Sequence, residues 1–197
     1  VNEQDQYQRN EQDVALMLRV RQDDECAFEQ LYQRYVRKLV DFFYAMGRDV
    51  HQAEDLTHET FLRVWRQRGK YAATGSVQAY LFAFARFIWL ERCRTFRRNR
   101  RWGWVSLRED LEEAQLAVAS GDSHPDVRAG RAELESAIFA ALERLPDEQR
   151  MAFVLHEIQG LSNEDIAAVM QCPVNTVRSR RILAVRKLRE TLERVHP

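Results

Sequence analysis

Glycine and proline are scarce in this chain, at 7 and 4 of 197 residues. An all-β fold needs many tight turns, so the shortage argues against one. Cysteine is scarcer still. Cys26, Cys93 and Cys172 lie far apart, with no paired metal-ligand spacing and no disulfide framework, a pattern that fits a reducing cytosol. No apolar run is long enough to cross a bilayer, which excludes membrane insertion by a helix of its own. The polar, acidic start does not read as a signal peptide. Net charge is also missing, because 30 Lys and Arg balance 30 Asp and Glu.

That balance hides blocks of one sign. The first thirty residues are acidic, "RCRTFRRNRR" (92–101) is basic, "REDLEEAQ" (108–115) is acidic, and "RSRRILAVRKLR" (178–189) is basic. Alternating blocks of this kind fit separate surfaces for separate partners, although any one block could be a solvated helix face.

Apolar periodicity then places helices. "ALMLRVRQ" reads as a short first helix, and Asp23–Asp24 can cap a second. Phe28, Leu31, Tyr32, Tyr35, Leu39, Phe42 and Met46 recur at three- and four-residue steps up to Gly47. A third helix spans about 49–68, with Val50, Ala53, Leu56, Phe61 and Val64 inward. "GKYAATGS" is a loop, and Ser76 caps a fourth helix over about 77–98. The pattern fails from Trp102 to Gly130, which reads as a linker. It returns at Leu134, Ile138, Leu142 and Leu145, and Pro146 opens a helix ending at Gly160. The expected fold is therefore all-α: a helical unit over 10–100, a flexible linker over 101–130 and a smaller helical unit over 131–197.

Three segments carry functional signals. The first is "LSNEDIAAVMQCPVNTVRSR" (161–180). Ser162 with Asp165 three residues later is a capping-box pattern, and Pro173 ends that helix. Val174 and Val177 can pack inward. Asn175, Thr176, Arg178 and Ser179 then fall where a recognition helix reads base edges in a major groove. The bland alternative is a charged helix pair in a small bundle. The second segment is "AEDLTHETFLRVW" (53–65), whose Glu54, Asp55 and Glu59 form an acidic face. Nucleic acid would repel it, so it suggests a basic protein partner, with His58 a surface residue. A catalytic carboxylate pair lacks a companion histidine, metal cluster, nucleophile–base pair or glycine-rich phosphate loop, so no catalytic residue, metal or cofactor is expected. The third is the fourth helix with its loop. Tyr71, Tyr80, Phe82, Phe84, Phe87, Trp89 and Phe96 mingle with Arg86, Arg92, Arg94, Arg97 and Arg98. Aromatics beside arginines can hold unstacked bases along a charged backbone. Most of these rings must be core, and Tyr71 on the loop is the one expected to be exposed.

Together the segments resemble a bacterial sigma factor of the extracytoplasmic-function group. "AFEQLYQRYVRKLV", "AEDLTHETFLRVW" and "AYLFAFAR" look like the family's region 2. "LPDEQRMAFVLHEIQGLSNEDIAAVMQCPVNTVRSR" looks like its region 4. The resemblance implies a non-enzymatic cytoplasmic factor that binds core RNA polymerase, at the β′ clamp and the β flap, and directs it to promoter DNA. It implies polymerase contacts from Glu54, Asp55, Glu59, Phe61, Arg63 and Trp65. It implies −10 contacts from Lys70, Tyr71, Thr74, Ser76, Arg86, Phe87, Arg94, Arg97 and Arg98. For the −35 element it implies Pro173, Asn175, Thr176, Arg178, Ser179, Ile182 and Leu183; Arg178, Arg180 and Arg181 are expected to supply phosphate or base contacts. It also implies an anti-sigma partner. Two departures stand out: Phe87 replaces a frequent Asn, and Ile182 and Leu183 replace positions often polar or basic. The alternative reading is a two-domain helix-turn-helix regulator that is not a polymerase subunit.

Overall fold

The computed structural model describes residues 3–101 and 137–195, all of whose regular elements are helices. In order these are α1 (Glu3–Val20), α2 (Glu25–Gly47), α3 (Val50–Gln67), a 3-10 turn (Arg68–Lys70), α4 (Val77–Arg101), α5 (137–143), α6 (Asp147–Phe153) running into a π turn (Val154–Ile158), α7 (Asn163–Met170) and α8 (Val174–Val195). The expected linker lies outside the described residues, apart from Arg101 at the end of α4. So do Leu134 and the first residues of the expected second unit. The first helix begins well before the stretch that periodicity marks, and the basic block 92–101 is helical throughout.

Local side chains start four of these helices. Asp24 Oδ1 accepts from the amide of Ala27 at 3.0 Å, Asp49 Oδ1 from Gln52 at 2.9 Å, Ser76 Oγ from Ala79 at 3.1 Å and Ser162 Oγ from Asp165 at 3.0 Å. Each satisfies one of the amides that a helix start leaves without a partner. The expected role of Pro173 needs correction. α7 stops at Gln171, which takes the left-handed conformation (φ 53°), and Pro173 instead opens α8, its carbonyl accepting from Thr176 at 2.9 Å. Gly47 is needed for closeness: a Cβ there would meet the Trp89 ring of α4 at 3.0 Å. Arg48 (φ 57°), not the glycine, makes the left-handed turn after α2.

The core is continuous. Met17 of α1, Leu31, Leu39, Phe42 and Phe43 of α2, Phe61 of α3 and Phe82 of α4 join Met151, Leu155, Leu161, Ile166 and Val177 of the C-terminal helices. A smaller cluster of Ala141, Leu142, Leu145, Ala184 and Leu188 fastens α5 to α8. Both expected helical units are present, and α7 of one packs directly on α4 of the other. The sequence does not signal that seam.

One buried polar cluster ties α1 to α2. Asp13 is 1% exposed and accepts from the Tyr35 hydroxyl and from Arg34 Nη1 at 2.6 Å. Burial, then the Asp13 carboxylate, pushes the Tyr35 phenol far above its ordinary value of 10.0. Replacing Asp13 by Ala strands a buried hydroxyl and removes a charge-assisted bond, so urea denaturation of the full chain should show a loss of about 3 kcal/mol. Because the folded phenol titrates above the unfolded one, stability should fall as pH rises past 10, where only the unfolded chain ionises. Tyr35→Phe should flatten that alkaline limb.

Candidate nucleic-acid and partner surfaces

The helical hairpin α7–α8 is positioned from its inner row outward. Val177, Ala184 and Leu188 of α8 are buried at seven- and four-residue steps. The opposite side therefore exposes Asn175, Arg178, Ser179, Ile182, Val185, Arg186 and Arg189. Ile182 is 69% exposed, an unusual position for an isoleucine in a helix with a well-filled inner row. Pro173 is exposed at the helix start, while Thr176 and Leu183 are half-buried on its flanks. Ser179 Oγ donates to the Asn175 carbonyl at 2.9 Å.

The arginines of α8 divide into two kinds. Arg180 Nη1 lies 2.9 Å from Glu148 Oε2 of α6 and 3.4 Å from Cys172 Sγ. Arg181 reaches Asn163 Oδ1 at 2.8 Å and Glu157 Oε1 at 3.0 Å. Those two side chains bolt α8 to its neighbours, which corrects the expectation that they face DNA. Arg178 stands apart: its nearest carboxylate, Glu164, is 3.9 Å away, and both side chains are mostly exposed. The π turn places Glu157 on this surface, where His156 Nδ1 also meets it at 3.0 Å.

On α3, the exposed row is Glu54, Asp55, His58, Leu62 and Arg66. Two expected contact residues are elsewhere. Phe61 is 3% exposed and packs its ring against Phe28 and Tyr32, with centroids at 6.0 and 4.6 Å. Trp65 is half-buried between Phe28 and the Arg68 guanidinium, at 4.9 and 4.3 Å. The cause is the helix period: Phe61 and Trp65 fall beside the core row of Ala53, Thr57, Thr60 and Val64. Leu62, between them in sequence, faces out instead. Glu59 is half-buried and paired with Arg63 at 2.6 Å, and Arg63 also reaches Glu91 of α4 at 2.8 Å. The Glu59 bond, helped by Glu91, raises the Arg63 pKa against its partial burial.

The loop and α4 form the third surface. Lys70 and Thr74 are exposed as expected. Tyr71 is not: it is 3% exposed, packs edge-on against Tyr80 at 5.0 Å, and its phenol pKa is pushed up by burial. A large ring on a short loop gains more by filling the gap beside Tyr80 and Phe84 than by standing in water. Ser76 is half-buried, and Arg86 is half-buried with Nε partnerless among the described residues. Phe87 is 55% exposed, and Arg94 and Arg98 are exposed farther along. Arg97 lies on the same helix, its side chain outside the described residues. No group of three or more metal-ligating side chains occurs among the described residues.

The three surfaces sit on one body through a polar seam that sequence reasoning missed. Arg150 Nη1 of α6 donates to the Met46 carbonyl at the end of α2 at 2.7 Å. Gln78 Nε2 of α4 donates to the Gln159 carbonyl at 2.7 Å, and Ser76 Oγ donates to Asp165 Oδ1 of α7 at 3.0 Å. Tyr44 and Arg48 pack on Phe139 of α5.

Comparison with known proteins follows this division. Residues 31–102 match the family described as Sigma-70 region 2, and residues 135–188 match Sigma-70, region 4. The chain is 34% identical over 173 residues to the RNA polymerase sigma-H factor of Pseudomonas aeruginosa, covering 86% of this chain and 88% of that one. It is 32% identical over 171 residues to the ECF RNA polymerase sigma-E factor of Haemophilus influenzae, covering 85% and 88%. Among solved structures, it resembles CnrH in complex with the cytosolic domain of CnrY (TM-score 0.68, 22% identity, 92% and 97% covered). It also resembles the sigma factor RpoE in complex with the anti-sigma factor NepR from Bartonella quintana (TM-score 0.66, 24% identity, 84% and 96% covered). These two likenesses establish the shared fold.

The two kinds of arginine on α8 should separate in thermal unfolding of the full chain. Arg181→Ala loses bonds to two neighbouring helices and should lower Tm by about 3 °C. Arg178→Ala touches nothing tightly and should leave Tm within about 1 °C. Equal shifts would mean that both arginines serve the same purpose.

Proposed function

The chain belongs to the extracytoplasmic-function group of the sigma-70 family, and from that premise we propose which of its surfaces do which part of the work. It is a transcription initiation factor that directs RNA polymerase to promoters, with no enzymatic activity of its own. On our reading the outward face of α8 enters the major groove at the −35 element. Asn175, Arg178, Ser179 and Ile182 address base edges, and Arg186 and Arg189 address phosphates. The loop around Lys70 and Thr74, with the outer face of α4, meets the −10 element. The exposed row of α3, Glu54, Asp55, His58 and Leu62, docks on the β′ clamp of core polymerase, and the C-terminal unit meets the β flap. An anti-sigma partner is part of the reading, because the Bartonella quintana neighbour was captured with one. The site of action is the cytoplasm, where polymerase and promoters are.

The observation that carries the −35 assignment is the division of arginines on α8. Arg180 and Arg181 are neutralised by carboxylates that fix the helix, while Arg178 points outward with only a distant partner. A rigidly mounted arginine can discriminate a guanine edge, and losing a bidentate contact costs about 1–3 kcal/mol at one base position. In vitro transcription with core polymerase on randomised −35 sequences tests this. Arg178→Ala should relax preference at one position, and a uniform loss across all sequences would reassign Arg178 to the phosphate backbone.

The packed seam supports a second element of the reading. Elements about 25 base pairs apart lie about 85 Å apart along B-DNA at about 3.4 Å per pair. A compact chain of this length has a radius of gyration of about 16 Å. A body this small does not span both elements while α7 rests on α4, so promoter binding requires the seam to part. Replacing Arg150 and Asp165 together by Ala removes two of its polar ties. Small-angle scattering of that variant should show a larger radius with unchanged helicity by circular dichroism. An unchanged radius would mean that apolar packing alone holds the seam.

A further inference from the structure

Arg63 of α3 stands between two of the surfaces described above. Its Nε donates to Glu59 Oε1 at 2.6 Å on the same helix, and its Nη2 donates to Glu91 Oε2 at 2.8 Å on α4. The guanidinium also lies over the Phe87 ring of α4, 5.4 Å from the centroid. Only 24% of the side chain is exposed. Among the described residues, Arg63 with Glu91 is the one ion pair that joins α3 to α4.

A polymerase contact does not explain this arrangement. The neighbouring row of α3 offers Glu54 and Asp55, which suit a basic partner. Such a partner gains nothing from a guanidinium, and two carboxylates already hold this one. Adhesion between the helices does not explain it either. Phe82, Ala85, Ile88 and Trp89 of α4 are buried and supply that. Apolar burial is not directional, so by itself it leaves a helix some freedom to slide and roll on its neighbour. Charge-assisted bonds from a planar guanidinium fix direction.

Position along the helix gives the bond its leverage. Asn10, Ser76 and Gln78 hold the first turn of α4. Glu91 lies roughly 22 Å beyond Ser76, at about 1.5 Å per residue. When the seam parts, the first turn loses Asp165 and the Gln159 carbonyl. The tie at Glu91 involves no residue of the C-terminal unit, so it survives the opening.

We propose that Arg63 is a positioning residue, a strut that fixes the far half of α4 against α3, so that polymerase docked on the α3 row holds the −10-facing helix in one orientation. The proposal rests on the assignments of α3 and α4 made above and deepens them. Arg63 touches neither polymerase nor promoter and acts through Glu91. Its loss should therefore leave assembly alone and slow the opening of the promoter.

The test uses the full chain with core polymerase. Core affinity is read by competition against the labelled natural chain. Promoter opening is read as the rate at which thymines of a duplex promoter become reactive to permanganate. Arg63→Ala should keep core affinity within about twofold and slow opening about tenfold. Arg63→Lys keeps the charge without the fork and should recover part of the rate. Glu91→Gln should slow opening as well, and the double variant should be no slower than Arg63→Ala alone, because both changes break one bond. Pairs this exposed contribute little stability, so helicity by circular dichroism should be unchanged in all of them. A drop in core affinity with Arg63→Ala and none with Glu91→Gln makes Arg63 a polymerase contact and overturns the proposal. Opening rates equal to those of the natural chain, or losses that add in the double variant, overturn it too. The underlying readings are judged by other residues. Core affinity indifferent to Asp55→Lys overturns the docking of α3, and opening indifferent to Lys70→Ala and Arg94→Ala together overturns the −10 reading of α4.

Discussion

The first turn of α4 is where the described fold is fastened. A helix start leaves amides that need acceptors, and here three separate elements supply polar groups to it. Asn10 Oδ1 of α1 accepts from Val77 at 3.1 Å, and Ser76 Oγ accepts from Ala79. The same Ser76 hydroxyl donates to Asp165 of α7, whose own first turn is capped by Ser162. Two residues after Ser76, Gln78 accepts from Lys38 Nζ of α2 at 3.2 Å and donates to the Gln159 carbonyl. The direction of α4 is thereby set by α1, α2 and α7 together. That direction determines where Phe87, Arg94 and Arg98 point.

Charge is distributed by the same logic. The chain has equal numbers of cations and anions, so an arginine with no carboxylate close by is informative. Arg34, Arg63, Arg68, Arg150, Arg180 and Arg181 are spent on Asp13, Glu59, Asp23, Asp147, Glu148 and Glu157 within the fold. Apart from the pair at buried Asp13, these more exposed pairs contribute little stability each, but they aim helices and silence cations that would otherwise attract any polyanion. What remains includes the outward arginines of α8 and α4, beside others such as Arg9, Arg37 and Arg66 on the first three helices. Net charge conceals that selection, which is why the basic blocks overstate how much of each one is free.

Features decided within a few residues were legible in the sequence. The caps at Asp24, Ser76 and Ser162, the inward row of α2 and the outward row of α8 follow from spacing and short-range hydrogen bonding. Features decided by which face meets which neighbour were not. Periodicity placed Phe61 inward although the resemblance made it a partner contact, and Trp65 sits one helical step from the acidic row, so only the packing of α2 on α3 shows that it turns inward. Tyr71 looks like an exposed loop ring until Tyr80 offers it a partner. The seam was invisible because its donors and acceptors, Arg150 with the Met46 carbonyl and Gln78 with the Gln159 carbonyl, are far apart in sequence and half of them are backbone.

The polar part of that seam is imperfectly satisfied, and this bears on how the molecule can move. Arg150 Nε and Gln159 Nε2 are buried without a partner among the described residues. A partly satisfied buried network contributes less than its bond count suggests, because each orphan keeps its desolvation cost. Parting the seam lets those groups meet water, which offsets some of the bonds lost. The start of α4 survives the change: without Asp165 it still has Asn10 and its own Ser76 cap. Each unit also keeps buried residues of its own, Leu39, Phe42 and Phe82 on one side and Leu142, Leu145, Ala184 and Leu188 on the other. Opening therefore costs less than melting either unit, and α4 and α8 can separate with their outward faces intact.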